Sequence, residues 1–408
     1  MKTSKLQLKH IIELDCELNR VKDQDILLER ILLEARKMVG ADAGSIYIIE
    51  DNKLAINYSQ NDTIQADLPP GQKLIYSLFK VEINTKSIAG YVAATGAVIN
   101  IPDVYKTGKS APYQYDSSYD KLSGYMNKSM LAIPLRTITG RIVGVIQVIN
   151  ATDKDGKIIP FTKDDELFVT HFADNAAMAL ERAQMTRAII LRMIRMAELR
   201  DPKETGMHVN RVAGYSVELY EAWARKHNIS EKEVQRNRDI LRMAAMLHDV
   251  GKVAISDAIL KKPAKFTPEE FAIMKAHTWL GADLFKDSEQ SEFDDMAMQI
   301  ALTHHEKWNG DGYPGRMTGA GWRENASSPG RGLSGEEIPI WGRIVAVTDV
   351  YDALSSRRVY KESWPEEQVL SEIRKLSGTS FDPELVELFF EIMPMLKHVE
   401  SRYHEIPD

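Results

Sequence analysis

Cysteine is nearly missing from this 408-residue chain, Cys16 being the only one. That excludes an internal disulfide, fits a reducing compartment, and leaves Cys16 as a small apolar residue with no chemical role. Long apolar runs are missing too. The longest strongly apolar stretch, residues 142–149, falls far short of the ~20 residues a membrane span needs. The opening MKTSKLQLKHIIELD is too polar for a secretory leader, so a cytoplasmic protein without a membrane segment is expected. A basic surplus is also absent. The net charge of −7 argues against binding nucleic-acid polymers, which requires basic surface, but not against a small anion held by a local cluster of cations. No internal repeat or low-complexity tract interrupts the chain. With 44% apolar and 27% charged residues it reads as globular, and it is too long for one ordinary core.

The first part alternates helix, strand and helix signals. Residues 25–38 place apolar side chains at 26, 27, 28, 31, 32, 33 and 38, a broad helical face. Strand-like runs follow at 45–50, 54–58, 97–101, 130–135 and 142–149. They are separated by turn signals at Asp51-Asn52, Pro69-Pro70-Gly71 and Thr139-Gly140-Arg141, the last a hairpin candidate. Residues 162–200 contain no Gly or Pro and predict one long helix, capped by Thr162 with acidic residues in its first turn. Phe172, Ala176, Ala179, Ala183, Ile190, Met193 and Ala197 recur at near-heptad spacing, which suits close packing against a twin helix in a homodimer or against the chain's own domain, the dimer being preferred. Beyond residue 187 the pattern is helical throughout. Residues 315–332, rich in Gly, Ser and Asn, read as a long flexible loop.

The chemistry concentrates in that second part. Five of the ten histidines, His208, His248, His277, His304 and His305, fall in one stretch; the other five stand alone and carry no assigned role. His248-Asp249 and His304-His305 each put ligand types side by side. Imidazoles and carboxylates without sulfur are the ligand set of a multinuclear site for iron or manganese, built to activate water against phosphate esters. His248-Asp249 closes an apolar-periodic helix that Gly251 is expected to terminate. Asp249 can bridge two ions, because its two oxygens bind separately. Glu204 and His208 are four apart and share a face if the helix already begins at Glu204, and Asp349 and Asp352 are three apart on one helix face.

Two resemblances follow from these motifs. Residues 20–183, through SIAGYVAATGAVINIPDVY, SMLAIPLR and GRIVGVIQVIN, resemble a GAF domain, a small-ligand sensor. Asn150, Phe161 and Asp165-Glu166 match the pattern of cyclic-nucleotide-binding members, but Ala151 replaces its lysine, and the ligand stays unknown. His248-Asp249 together with HHEKWNGDGYP resembles the HD-GYP subgroup of HD-domain phosphohydrolases. The implied architecture is an α+β N-terminal GAF domain, an antiparallel sheet with helices, joined by a long helix to an all-α HD-type domain. Its boundaries are an N-terminal helix at 1–19, the GAF domain at 20–183, the linker helix at 165–200 and the HD-GYP domain at 187–408.

The resemblance implies hydrolysis of cyclic di-GMP to pGpG or GMP, with another cyclic dinucleotide such as 3′,3′-cGAMP, or a weakly catalytic regulatory protein, as alternatives. It assigns His208, His248, Asp249 and Asp349 to one side of a metal centre and His277, His304 and His305 to the other, bridged by Asp249. Glu204 lies where members with a third ion carry a glutamate, which favours three ions of Fe or Mn over two. His248, Asp249 and Lys252 are the catalytic candidates. Lys252, Tyr313, Asp352, Arg358 and Lys361 are the substrate-binding ones. The GYP loop is a candidate surface for signalling-protein partners. One departure is visible: Gly332-Leu333-Ser334-Gly335-Glu336 follows the GYP motif after an insertion, expected to alter access to the site.

Overall fold

The structure, a computed structural model, describes residues 18–19, 21–69, 74, 80–108, 110–198, 206–286, 291–316, 331–356 and 364–403. The expected N-terminal helix therefore lies outside the described residues, apart from Leu18 and Asn19. The chain divides into two compact units between Thr186 and Arg187.

In the first unit, helix α1 (Gln24–Met38) starts where the Asp23 carboxylate accepts from the N–H groups of Asp25 and Ile26. Its apolar stripe, Ile26, Leu27, Leu28, Ile31 and Leu32, is fully buried. Strands β1 (Ala41–Glu50) and β2 (Lys53–Asn61) form a hairpin through Asp51-Asn52, both left-handed (φ 50° and 61°), the conformation a two-residue hairpin turn demands. Apart from short helical turns, β3 (Lys80–Glu82), α2 (Ile88–Thr95), β4 (Ile99–Ile101), β5 (Met130–Arg136), β6 (Ile142–Thr152) and β7 (Ile158–Ile159) follow. The Thr139–Arg141 hairpin forms as expected, with Gly140 at φ 81°. The sheet runs β3-β2-β1-β6-β5-β4, with β7 beside β6 and every pairing antiparallel. Both faces are covered. One packs against α1 and the long helix α3 (Lys163–Glu198), the other against α2 and the tyrosines Tyr113, Tyr115 and Tyr125. This explains why β5 and β6 read as continuous apolar runs, not as alternation.

Helix α3 begins at the expected cap: Thr162 Oγ1 accepts from the Asp165 N–H, and the Asp165 carboxylate accepts from the Thr162 N–H. Its expected seam for a twin helix is largely used within the chain. Phe172, Ala176, Ala179 and Ala183 are buried in the core of the first unit, and Ile190 in that of the second. Only Met193 of the described side chains in that set is exposed. Heptad spacing identified a buried face but not what buries it.

The second unit is helical: α4 (Gly206–Lys226), α5 (Glu231–Ala245), α6 (Pro268–Lys275), α7 (His277–Asp283), α8 (Glu292–Thr303), α9 (Ile340–Ser355), α10 (Glu366–Lys375), α11 (Pro383–Glu391) and α12 (Met393–Arg402). One core of Val212, Tyr215, Leu241, Ile344, Val347, Tyr351 and Phe389 joins α4, α5, α9 and α11. These helices bring together the ends that carry the histidines. No helix among the described residues is long and apolar enough to cross a membrane.

Candidate metal centre

Helix α5 stops at Ala245, and His248 and Asp249 lie in the turn that follows, before a short 3-10 segment at Val250–Ala254. Gly251 does not act as the left-handed helix stop expected of it. A Cβ there would fall 1.9 Å from the His277 carbonyl oxygen and 2.4 Å from the Gly281 nitrogen. The absent side chain lets the Asp249 turn lie directly against α7, which starts with His277. His304 and His305 follow the last residue of α8, His208 lies in the first turn of α4, and Asp349 sits on α9.

Two groups result. In one, Asp249, His277, His304 and His305 each offer a ligand atom, all within 4.8 Å of one another; in the other, His208, His248 and Asp349 do the same. Asp249 joins them. Its Oδ1 stands 3.2 Å from His277 Nε2 and 3.6 Å from His304 Nε2, and its Oδ2 stands 3.2 Å from His248 Nε2. Asp349 Oδ1 lies 3.5 Å from His208 Nε2 and 3.9 Å from His248 Nε2. Seven of the eight expected metal ligands thus converge; the eighth, Glu204, lies outside the described residues.

The outer nitrogens fix what the inner ones can do. His248 Nδ1 meets the Ala245 carbonyl at 2.8 Å, His277 Nδ1 that of Met274 at 2.7 Å, and His304 Nδ1 that of Ile300 at 3.0 Å. Each Nδ1 therefore carries the proton and donates it to a carbonyl. In the neutral ring this leaves the Nε2 lone pair pointing inward, the ligating tautomer. Burial holds the His304 ring below its usual pKa and the His305 ring well below it, so both stay neutral at pH 7. Asp249 remains ionised: burial pushes its pKa up, but the adjacent Lys252 ammonium holds it well below the usual carboxylate range. Acceptors consequently face acceptors. Asp249 Oδ1, His277 Nε2 and His304 Nε2 are buried without a hydrogen-bond donor among the described residues. A divalent cation satisfies such a nest, and its nitrogen and oxygen donors fit iron or manganese. No metal is part of the structure, so this fit rests on the side chains.

Other expected residues are placed differently. Asp352 does not face a substrate: it is 1% exposed, and its oxygens accept from Arg211 Nε (2.6 Å), Arg211 Nη2 (2.9 Å) and His208 Nδ1 (2.8 Å). The i, i+3 pattern correctly put Asp349 and Asp352 on one face, but the deeper of the two is a support. Lys252 Nζ lies 2.7 Å from Asp249 Oδ2, beside the bridging carboxylate. The Tyr313 ring lies 4.8 Å from that of His305, with Lys275 Nζ 5.1 Å from its centroid. Burial raises the Tyr313 hydroxyl pKa, so it stays protonated at neutral pH. Arg358 and Lys361 lie outside the described residues, as do residues 317–330 of the expected loop.

Glu306 had no assigned role. It is 3% exposed, accepts from the Gly315 N–H at 2.5 Å and the Leu333 N–H at 3.0 Å, and so fastens both sides of the insertion. Burial raises its pKa to about 7 despite those bonds. Gly312 makes this fold-back feasible, since a Cβ would fall 2.3 Å from the Lys307 nitrogen. Position beside the histidine pair was the only sequence signal for Glu306. Arg211 had none.

In the first unit, the residues matching a cyclic-nucleotide pattern do structural work. Asn150 (φ 57°) donates to Tyr125 and the Met126 carbonyl and accepts from the Lys128 N–H. Phe161 is buried, Asp165 caps α3, and Glu166 pairs with Lys163.

Residues 23–180 match the sequence profile of the GAF domain, and residues 205–354 that of the HD domain, with a second HD-domain profile matching 324–385. The chain joins a GAF domain to an HD domain. Among curated relatives, the 3′3′-cGAMP-specific phosphodiesterase 2 of Vibrio cholerae is 38% identical over 218 residues, 53% of this chain and 37% of that protein. A cyclic di-GMP phosphodiesterase of Thermotoga maritima is 39% identical over 246 residues, 60% of this chain and 57% of that protein. The chain therefore spans only part of the length of these relatives. The solved GAF domain of an Acinetobacter phosphoenolpyruvate-protein phosphotransferase aligns over 44% of this chain and 95% of its own, at 15% identity and TM-score 0.33.

Proposed function

We propose that the HD domain is a metal-dependent phosphodiesterase that opens cyclic di-GMP to pGpG, and onward to GMP, under control of the GAF domain. The observation that carries this reading is Asp249, whose two oxygens face separate histidine groups with inward lone pairs. Bound iron or manganese would act as a Lewis acid on a phosphodiester and acidify water near neutral pH. The chain's own residues prepare the rest. Asp249 and Asp349 supply negative charge, the neutral imidazoles complete the ligand sets, and the Lys252 ammonium adds positive charge beside the bridge. Tyr313, protonated at neutral pH, offers a hydroxyl donor and a ring face to a nucleotide. Glu204, were it to join His208, would favour a third ion; Arg358 and Lys361 are the further phosphate contacts of this reading.

A second substrate, 3′,3′-cGAMP, is favoured by the similarity to the 3′3′-cGAMP-specific phosphodiesterase of Vibrio cholerae. The reading places the enzyme in the cytoplasm as a homodimer. Contact along α3 would use the exposed Leu167, Met178 and Met185 face instead of the buried alanines. The GYP loop is the candidate partner surface. Anaerobic metal analysis paired with product identification tests the proposal. The purified chain should bind Fe(II) or Mn(II) and release pGpG or GMP from cyclic di-GMP, with 3′,3′-cGAMP run alongside. The double variant His248→Ala with Asp249→Ala should lose both metal and turnover, and full activity in it would end the reading.

A further inference from the structure

His208 is supported differently from His248, His277 and His304. Their Nδ1 atoms rest on carbonyls three or four residues back in the chain, at the ends of the helices that precede them. That of His208 rests on the Asp352 carboxylate, 144 residues away in sequence. A carboxylate behind an imidazole fixes its tautomer and raises the basicity of the ligating nitrogen. A buried carboxylate is itself costly unless another charge offsets it. Arg211, 4% exposed and three residues after His208 on α4, provides that charge with two hydrogen bonds that set the plane of the carboxylate.

Arg211 has a further partner. Its Nη1 donates to the Tyr403 carbonyl at 3.1 Å, just past α12. The Tyr403 hydroxyl accepts from Arg242 on α5 at 2.7 Å, and its ring lies 6.0 Å from the guanidinium of Arg187 on α3. Arg187 also donates to Asn210, between His208 and Arg211 in sequence.

We propose that Arg211 is a positioning residue of the metal centre: it holds Asp352, which holds His208, and it ties that support to Tyr403 and, through Arg187, to the long helix. The inference rests on the metal-centre reading above. Side-chain support reaching over four helices makes the His208 group the more easily disturbed of the two, while the Asp249–His277–His304–His305 group keeps its local carbonyl supports.

The test is Mn(II) titration of the chelator-stripped, full-length chain, with bound ions counted from the loss of the free Mn(II) resonance signal. Arg211→Ala should weaken one ion per chain by about 10- to 100-fold and leave the rest at parent affinity. Arg211→Lys, which keeps the charge but not the fork, should fall between. Asp352→Asn preserves volume but turns one of the two acceptor oxygens into an NH2 donor, so it cannot accept from all three N–H groups of Arg211 and His208 and should weaken the same ion. Ser216→Ala, which removes a buried hydrogen bond to Thr348 between the same two helices, is the stability control and should keep every ion. Parent-like affinity for the full complement in Arg211→Ala or Asp352→Asn overturns the inference, as does equal weakening of all ions or the same loss in Ser216→Ala. A parent chain that takes up no Mn(II) or Fe(II) removes the metal-centre reading itself, and this inference with it.

Discussion

In the GAF domain, Asn150, Tyr125 and Asp42 form a closed set: the amide donates to the tyrosine hydroxyl, which donates to the carboxylate. Asp120 likewise accepts from Tyr105, Tyr115 and Asn127. In the HD domain, Asp249 Oδ1 and the Nε2 atoms of His277 and His304 are buried and face one another as acceptors. The first arrangement is complete as it stands and holds a loop to a sheet. The second leaves buried acceptors without donors among the described residues. Buried polarity marks a ligand site where its hydrogen-bond accounting fails to close, not where polar residues are most numerous.

Four substitutions or conditions break or sharpen that contrast. The largest effect belongs to Asp249→Asn, which replaces one acceptor oxygen with an NH2 donor. Metal uptake should collapse and turnover fall on the order of a thousand-fold or more, read by elemental analysis and product release. Next is Asn150→Ala. It strips three hydrogen bonds and puts an alanine at φ 57°, so the GAF domain should lose about 3 kcal/mol in denaturant titration. Asn150→Gly should recover only the backbone share. Smaller still, Glu306→Ala leaves the Gly315 and Leu333 N–H groups without their acceptor and should cost the HD domain about 2 kcal/mol while sparing the metal ions.

The smallest effect is one of pH on the metal-free protein. The folded pKa values of His304 and His305 lie below 6.5, so the unfolded chain takes up those protons first. Their contribution to stability is therefore complete above pH 6.5 and is lost as pH falls through 6.5 towards the folded values. The melting temperature of the stripped HD domain should drop over that window, and metal uptake should weaken with it, whereas the GAF transition stays put.

Much of the centre was legible because ligands stand adjacent: His248-Asp249 and His304-His305 have few other reasons to occur together. The strands and the cap of α3 were legible through turn residues and Thr162. What stayed hidden depends on contacts between distant segments. Arg211 looks like any arginine on a helix face until Asp352 arrives from 141 residues away. Gly251 looks like a helix stop, yet it is needed because α7 presses against it. The alanines of α3 show the same limit, since periodicity states that a face is covered and is silent about the cover. Asp352 was read one layer too shallow for the same reason.

Glu306 clasps the chain on either side of the insertion, so the ring is sealed before the intervening residues contribute anything. Lengthening such a sealed ring is thermodynamically cheap, about 0.6 kcal/mol for each doubling. The interval between Gly315 and Leu333 is accordingly a grafting port. A reporter peptide spliced there should leave the helices that carry the imidazoles undisturbed.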